Sequence, residues 1–338
     1  MRLGYTDDQR QLQELFRDFF AREAGPSVAR AAEPLGFSAD LWRKLEQTGA
    51  PAMSTPGGGD ASLTDLSLVA TELGRALAPV PLLEHLVAAR LISQADPDRS
   101  LPERVAFAAE PAEAGVARAV AGAAVCPAVV ALDGPDLVLV EPAAPVTATP
   151  NLASLPLADV DLRAGDRVVL ATGEPAVRLF QEATACWRTL LAAALLGVAE
   201  AALDLGRTYV LQRQQFGVAI GSFQAVQHAL AGLPPMIDGA RLLVAKAAWA
   251  LQHHPEPVVD LAHNDITDGQ VLAKMAYVFA GQTAKESTKR SLQCHGGYGY
   301  SAEYDIQLYY RRARGWALMG GSPATVLREL AKDCGVTT

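Results

Sequence analysis

The chain has 338 residues, half of them hydrophobic, and a formal charge of −8. That hydrophobic fraction builds a sizeable core and excludes a disordered chain; the length suits two or three domains or one large one. The acidic balance, without a Lys/Arg-rich domain, speaks against a nucleic-acid partner but leaves room for a few arginines to hold an anionic ligand.

The chain opens on "MRLGYTDDQRQLQ", polar and acidic from the start, neither a signal nor a transit peptide. Thr6, with Gln9 three residues on, predicts a capping box, and Leu12, Leu15, Phe16, Phe19 and Phe20 follow at helical spacing. A second helix begins at the cap residue Ser38 and stops at Gly49. "PGGGDAS" is a flexible loop; Leu66–Ala78 and Leu82–Ser93 are two more helices, parted by Pro79 and Pro81. Residues 1–102 thus read as a helical domain. Over 103–178 the pattern changes to short apolar runs ("RVAFAAE", "PAVVAL", "DLVLVEP", "DRVVLAT") between Gly, Pro and Asp. That is the signature of a small antiparallel β-domain. No GxGxxG follows a strand, so no Rossmann dinucleotide site is expected.

Residues 179–338 return to helix, with segments expected at 180–212, 222–252, 263–294, 303–315 and 322–334. Ser222 is a candidate cap, and Pro234–Pro235 predict a kink or break. "TLLAAALLGVAEAAL" is too short to cross a membrane, is interrupted by Glu200, and reads as a buried core helix. The fold class is therefore mainly α with a central β-domain, ending in a helical bundle. Cys126, Cys186, Cys294 and Cys334 are far apart, with no spacing that suits zinc, and fit a reduced, cytoplasmic setting.

Two segments of the last region hold polar residues that look placed. "LQRQQFGVAIGSFQAVQH" sets Arg213, Gln215 and Phe216 before Gly217, between two helices, and Gln224 at the start of the next. A guanidinium there can bridge two phosphate oxygens, and a phenyl ring can cover an aromatic ligand. The plain alternative is a polar turn with a glycine stop. "QCHGGYGYSAEY" offers Gln293 as donor and acceptor, then Cys294, His295, and Gly296–Gly297, which permit close backbone approach. Its plain alternative is a glycine C-cap before an aromatic-rich helix. Arg311, Arg312 and Arg314 read as a solvated helix face.

Together, in this order, the segments resemble the C-terminal domain of the acyl-CoA dehydrogenase family, whose marks are "RxxFG", a helix with Gln near its start, and "QxxGGxGY…EY…R". Here they read Arg213 to Gly217, Gln224, and Gln293 to Tyr300 with Glu303–Tyr304. The likeness extends more weakly over the rest of the chain. It implies an N-terminal helical domain, a small β-domain and a C-terminal four-helix bundle. It also implies FAD as cofactor and α,β-desaturation of an acyl-CoA thioester. In the family a carboxylate removes the α-proton and the hydride goes to FAD. Each FAD spans a subunit interface, where Arg213, Gln215, Phe216, Gln224, Gln293, Cys294, Gly296 and Gly297 would reach a neighbour's cofactor.

The resemblance also marks departures. The family's catalytic glutamate, in "YEGTSxxQ", falls on Gly320, with Gly321 next and Ser322, Pro323 and Ala324 beyond. The alternative glutamate position, on the first bundle helix, falls on Trp187 before Arg188. Neither glycine nor tryptophan accepts a proton. Glu182 is five residues earlier and roughly 140° around the helix, and Glu200 is more than three turns on. The β-domain's "TxPxxGSD" loop is matched only by "AFAAEPAEAG". The ring-and-base side is lost while the side that reaches a neighbour is kept. That split resembles the shorter, base-less subunit of actinobacterial α2β2 acyl-CoA dehydrogenases of steroid and CoA-ester catabolism. It implies a second family chain carrying the glutamate, an acyl-CoA substrate, and an electron-transfer flavoprotein as acceptor. Two other readings stay open: a homomeric enzyme with an unrecognised base, and an inactive structural member.

Overall fold

A computed structural model of the chain describes residues 4–254, 256–263 and 265–336. Residues 1–3 of the opening segment, Asn264 of the expected helix 263–294, and residues 337–338 lie outside the described residues.

The N-terminal part holds five helices: α1 (Asp7–Glu23), α2 (Pro26–Ala31), α3 (Ala39–Thr48), α4 (Leu63–Ala76) and α5 (Leu82–Ala95). Local chemistry sets their ends. Thr6 Oγ1 accepts the Gln9 N–H while the Gln9 amide oxygen accepts the Thr6 N–H, completing the capping box. Ser38 caps α3, and Gly49 ends it in the left-handed region. Phe16, Phe19 and Phe20 form the buried stripe of α1, whereas Leu15 is exposed.

The strands follow: β1 (Val105–Phe107), β2 (Val116–Val120), β3 (Ala128–Asp133), β4 (Asp136–Pro142), β5 (Ala158–Asp161) and β6 (Gly165–Thr172). Four of them make one sheet in the order β1-β3-β4-β6, and β2 pairs with β5. The expected runs are β1, β3, β4 and β6. The β1–β3 pair is parallel, Val105 facing Ala128, so the sheet is mixed rather than antiparallel throughout. Both faces of β3 and β4 are buried. Val129, Ala131, Val138 and Val140 face an inner core shared with the β2–β5 pair. The alternating Val130, Leu132, Leu137 and Leu139 join the main helical core.

The rest is α6 (Glu174–Gln212), the short strands β7 (Gln214–Gln215) and β8 (Val218–Ala219), then α7 (Gln224–Ala231), α8 (Leu233–His253), β9 (Val259–Asp260), β10 (Asp265–Ile266), α9 (Gly269–His295), α10 (Ile306–Met319) and α11 (Pro323–Asp333). Helices α6, α8, α9 and α10 form the four-helix bundle. The apolar window of α6 is long enough to span a membrane, but 78% of it is buried within the protein, as the core helix of the bundle. Helix α4 crosses α6 at two glycines. A Cβ on Gly74 would lie 2.0 Å from the Ala194 carbonyl oxygen, and one on Gly197 would lie 1.9 Å from that of Thr71. Only bare backbone allows so close a crossing.

Three details depart from the expected pattern. The chain breaks at Gly232, with Pro234–Pro235 in the first turn of α8, so 222–252 is two helices. Ser222 does not cap α7; its hydroxyl donates to the Ala219 carbonyl, and Phe223 holds the cap position. Helix α9 starts at Gly269, not 263, because Asp268 caps it by accepting the N–H groups of Gln270 and Val271.

Candidate functional site

The two motif segments meet. Helix α6 ends at Arg213, whose carbonyl accepts the Ile220 N–H at 2.8 Å and closes the β7–β8 hairpin. Phe216 sits at the hairpin tip with φ +54° and is 93% exposed. A phenyl ring held in solvent on a left-handed residue is costly on both counts, which marks the tip as a place shaped for contact. One turn before the hairpin, Tyr209 stacks on His295, their ring centres 4.1 Å apart. His295 is buried, its Nδ1 is 2.7 Å from the Ser291 carbonyl, and burial pushes its pKa down. It is a structural residue that fixes the end of α9.

Gly296 then ends α9 with φ +61°, and a one-turn helix runs from Gly296 to Tyr300. Tyr298 and Tyr304 pack on the same aromatic group, and the Arg213 guanidinium lies 5.6 Å above the Tyr298 ring. Gly296 and Gly297 are exposed, and a Cβ on either would meet nothing within 4 Å. Gln293 is exposed beside them and Cys294 is half-buried. Gln224 is exposed at the first position of α7, a helix tied to α9 by the Arg290 guanidinium on the Ala229 carbonyl at 3.1 Å. The Gln215 side chain folds onto its own loop, its amide donating to the Gln214 carbonyl at 2.7 Å. Arginine, aromatic rings and open glycine backbone thus share one exposed ledge. The donor set fits a flavin dinucleotide: a guanidinium for phosphate, a free phenyl ring, and glycines without side chains in the way.

The other region is closed. Trp187 and Gly320, the two positions where the resemblance led us to expect the family's base, lie side by side. Trp187 is 2% exposed and its indole N–H donates to the Met319 carbonyl at 3.2 Å. The Gly320 N–H donates to Tyr277 Oη at 3.1 Å, and the Gly320 carbonyl accepts from Arg188 Nε at 2.9 Å. Tyr277 Oη in turn donates to the Gly321 carbonyl at 3.1 Å, and Arg188 Nη1 pairs with Glu329 at 3.1 Å. A Cβ on Gly320 would sit 3.0 Å from the Tyr277 ring and 3.2 Å from Arg188 Cγ. A side chain here would therefore need the Tyr277 ring and the Arg188 stem to give by a few tenths of an ångström. Sequence reasoning missed the lock's main part, Tyr277, because it comes from a helix far along the chain.

It also missed Glu110. This carboxylate, in "AFAAEPAEAG", lines the recess of about 200 Å³ shared by Phe107, Trp187, Met319 and Gly321. Burial raises its pKa, while Arg188 opposes the rise. Glu200, one of the two acids weighed as a substitute base, is clamped between Arg75 and Arg241, the latter at 2.7 Å. Both of its carboxylate oxygens are engaged by guanidiniums. Glu182 lines neither recess flanking Trp187.

The arrangement of helical, β and bundle parts is that of the acyl-CoA dehydrogenase fold. Solved structures match it from end to end: the ChsE4-ChsE5 complex from Mycobacterium tuberculosis has a chain with TM-score 0.85, 22% identity and full coverage of both chains. The Tcur3481-Tcur3483 steroid ACAD variant has TM-score 0.78 and 27% identity over 96% of this chain and 97% of that one. Family models for the acyl-CoA dehydrogenase N-terminal domain and C-terminal domain match residues 6–95 and 177–334. Acyl-CoA dehydrogenase IpdE2 of Mycobacterium tuberculosis is 33% identical over 97% of both chains. The chain belongs to the acyl-CoA dehydrogenase family, flavoprotein oxidoreductases that use FAD.

Proposed function

We propose that this chain is the base-less subunit of a hetero-oligomeric, FAD-dependent acyl-CoA dehydrogenase. Its ledge of Arg213, Gln215, Phe216, Gln224, Gln293, Cys294, Gly296 and Gly297 completes an FAD site on a partner chain, and the partner supplies the catalytic glutamate. The observation that carries this reading is the contrast between the two regions. The base position is occupied by a buried glycine held through both its N–H and its carbonyl. The ledge leaves Arg213 and Phe216 exposed, with no flavin ring site of the usual family kind beside them in the sequence. In this reading Arg213 neutralises the FAD pyrophosphate, the glycine backbone admits the adenosine side, and Phe216 covers an aromatic face.

The neighbours support the assembly by analogy: two of the solved relatives are complexes of two different chains, one of them a steroid enzyme. The substrate is accordingly a bulky acyl-CoA, steroid side chains included, and the acceptor an electron-transfer flavoprotein. In this reading domain limits at 102 and 178 separate the three parts, the second falling within the first turns of α6, which begins at Glu174. The four free cysteines fit a cytoplasmic setting. Co-expression with a second family chain that carries the catalytic glutamate tests the proposal. A yellow complex that desaturates acyl-CoA, and loses flavin with Arg213→Ala, is expected. Stoichiometric FAD and full turnover by this chain alone would overturn it.

Glu110 favours one second reading, a self-sufficient enzyme that uses this carboxylate as base. It is the acid that borders the recess beside Trp187 and Gly321, and its raised pKa suits proton abstraction. Activity of the isolated chain, abolished by Glu110→Gln, would select this reading over the first.

A further inference from the structure

Behind Trp187 lies a second cavity of about 40 Å³. Its walls are largely apolar, with Leu73, Leu83, Leu191 and Trp316 among them, and it also meets two charged side chains, Arg312 and Glu84. Arg312 is not the solvated arginine that the run "RRAR" suggests. It is 3% exposed, and its Nη1 has no hydrogen-bond partner among the described residues. The arginines on either side are engaged: Arg311 holds Glu33 at 2.6 Å, and Arg314 lies 3.2 Å over the Tyr310 ring. The acid that acts on Arg312 is Glu33, already taken by Arg311.

A guanidinium buried without a counter-charge is strongly destabilising, and folded proteins satisfy such groups. Burial pushes the Arg312 pKa down only to about 10, so it remains a cation at neutral pH. Glu84 does not oppose an incoming anion below neutrality, because burial of its carboxyl holds the proton up to about 7. The volume suffices for more than a single water, which occupies roughly 10–15 Å³ on this measure.

We propose that this cavity is a binding site for one compact monovalent anion, a halide or a short carboxylate such as acetate, held by the Arg312 guanidinium. A carboxylate would take two parallel N–H donors from the fork, a halide one or two. The site is independent of the FAD ledge and does not rest on the proposed function.

The test uses the full chain co-purified with its partner. Thermal unfolding is followed at pH 6.5 in sodium bromide, sodium acetate and, at matched ionic strength, sodium sulfate. Bromide or acetate is expected to raise the midpoint saturably, by about 2 °C at ten times the Kd, with sulfate inert. Arg312→Met should abolish the rise. Arg312→Lys, which keeps the charge and loses the fork, should weaken an acetate response more than a bromide response. Bromide-soaked crystals of the parent protein should show an anomalous peak beside Arg312 if a halide is held; planar density seen only in acetate identifies the carboxylate. An equal response in parent and Arg312→Met overturns the proposal, as do an empty cavity in both soaks or an Arg312→Met protein more stable than the parent in every salt.

Discussion

The ledge at the end of α6 and the loop after α10 are both glycine turns at helix ends, yet they are built in opposite ways. At the ledge, Gly296 and Gly297 face open space, and the nearby Phe216 and Gln293 point outward. At the loop, Gly320 is enclosed by Tyr277, Arg188 and Trp187, with its peptide groups satisfied inside the chain. An open glycine turn is available to a second molecule; a satisfied one serves its own core. A motif that looks like a site in the sequence is therefore sorted by where its backbone hydrogen bonds go.

The contrast can be broken from either side. The largest effect is expected from Arg213→Ala. A charge-assisted phosphate contact contributes about 1.5–3 kcal/mol, so FAD affinity of the complex should fall roughly ten- to a hundred-fold. Flavin absorbance after gel filtration reads this, and unchanged content would reduce the ledge to a structural turn. Next comes the closed side. Glu84 holds its proton up to about 7 against an ordinary 4.5. The folded form therefore binds the proton more tightly than the unfolded form. Its contribution is full below the unfolded value and is lost as the pH rises through 7. A shift of this size corresponds to about 3 kcal/mol. Glu84→Gln should thus gain up to about that much stability over the parent at pH 8, and the gap should close toward pH 4.5. Denaturant titration at both pH values measures it.

Tyr277→Phe removes both hydrogen bonds that pin Gly320 and Gly321. A loss of about 1–3 kcal/mol is expected, with FAD content intact. Gly320→Glu should cost about 1–3 kcal/mol through crowding and give the isolated chain no dehydrogenase activity. The smallest effect is on the open side: Phe216→Ser should change the stability of the chain by less than about 0.5 kcal/mol, yet weaken flavin retention in the complex. Loss of folding there would mean that the ring is part of this chain's own core.

Much of the architecture was legible because its signals are local. The box at Thr6, the stop at Gly49 and the four apolar strand runs need only a few neighbouring residues. Strands β2 and β5 were not legible. "VARAV" exposes Arg118, "ADVD" is four residues long, and each is a strand only because the other pairs with it. The ledge residues were readable as a motif, but their meeting through Tyr209, His295 and Tyr298 was not, since stacking across two helices leaves no spacing in the sequence. Arg312 reads as a surface charge from its neighbours, and only the packing of α10 puts it inside. The missing glutamate was plain from the residues. That a side chain there would crowd Tyr277 and Arg188 was not legible, because no local pattern connects either to Gly320.

The crowding around Gly320 has a consequence for any acid placed there. Restoring a glutamate there is one codon change in principle. The side chain would then press on a tyrosine ring on one helix and an arginine stem on another, each of which would have to give by a few tenths of an ångström, while the backbone hydrogen bonds at residue 320 would be kept. None of those accommodating changes helps while the glycine is present. Under the proposed pairing, a self-sufficient chain would need changes around Tyr277 and Arg188 as well as at residue 320.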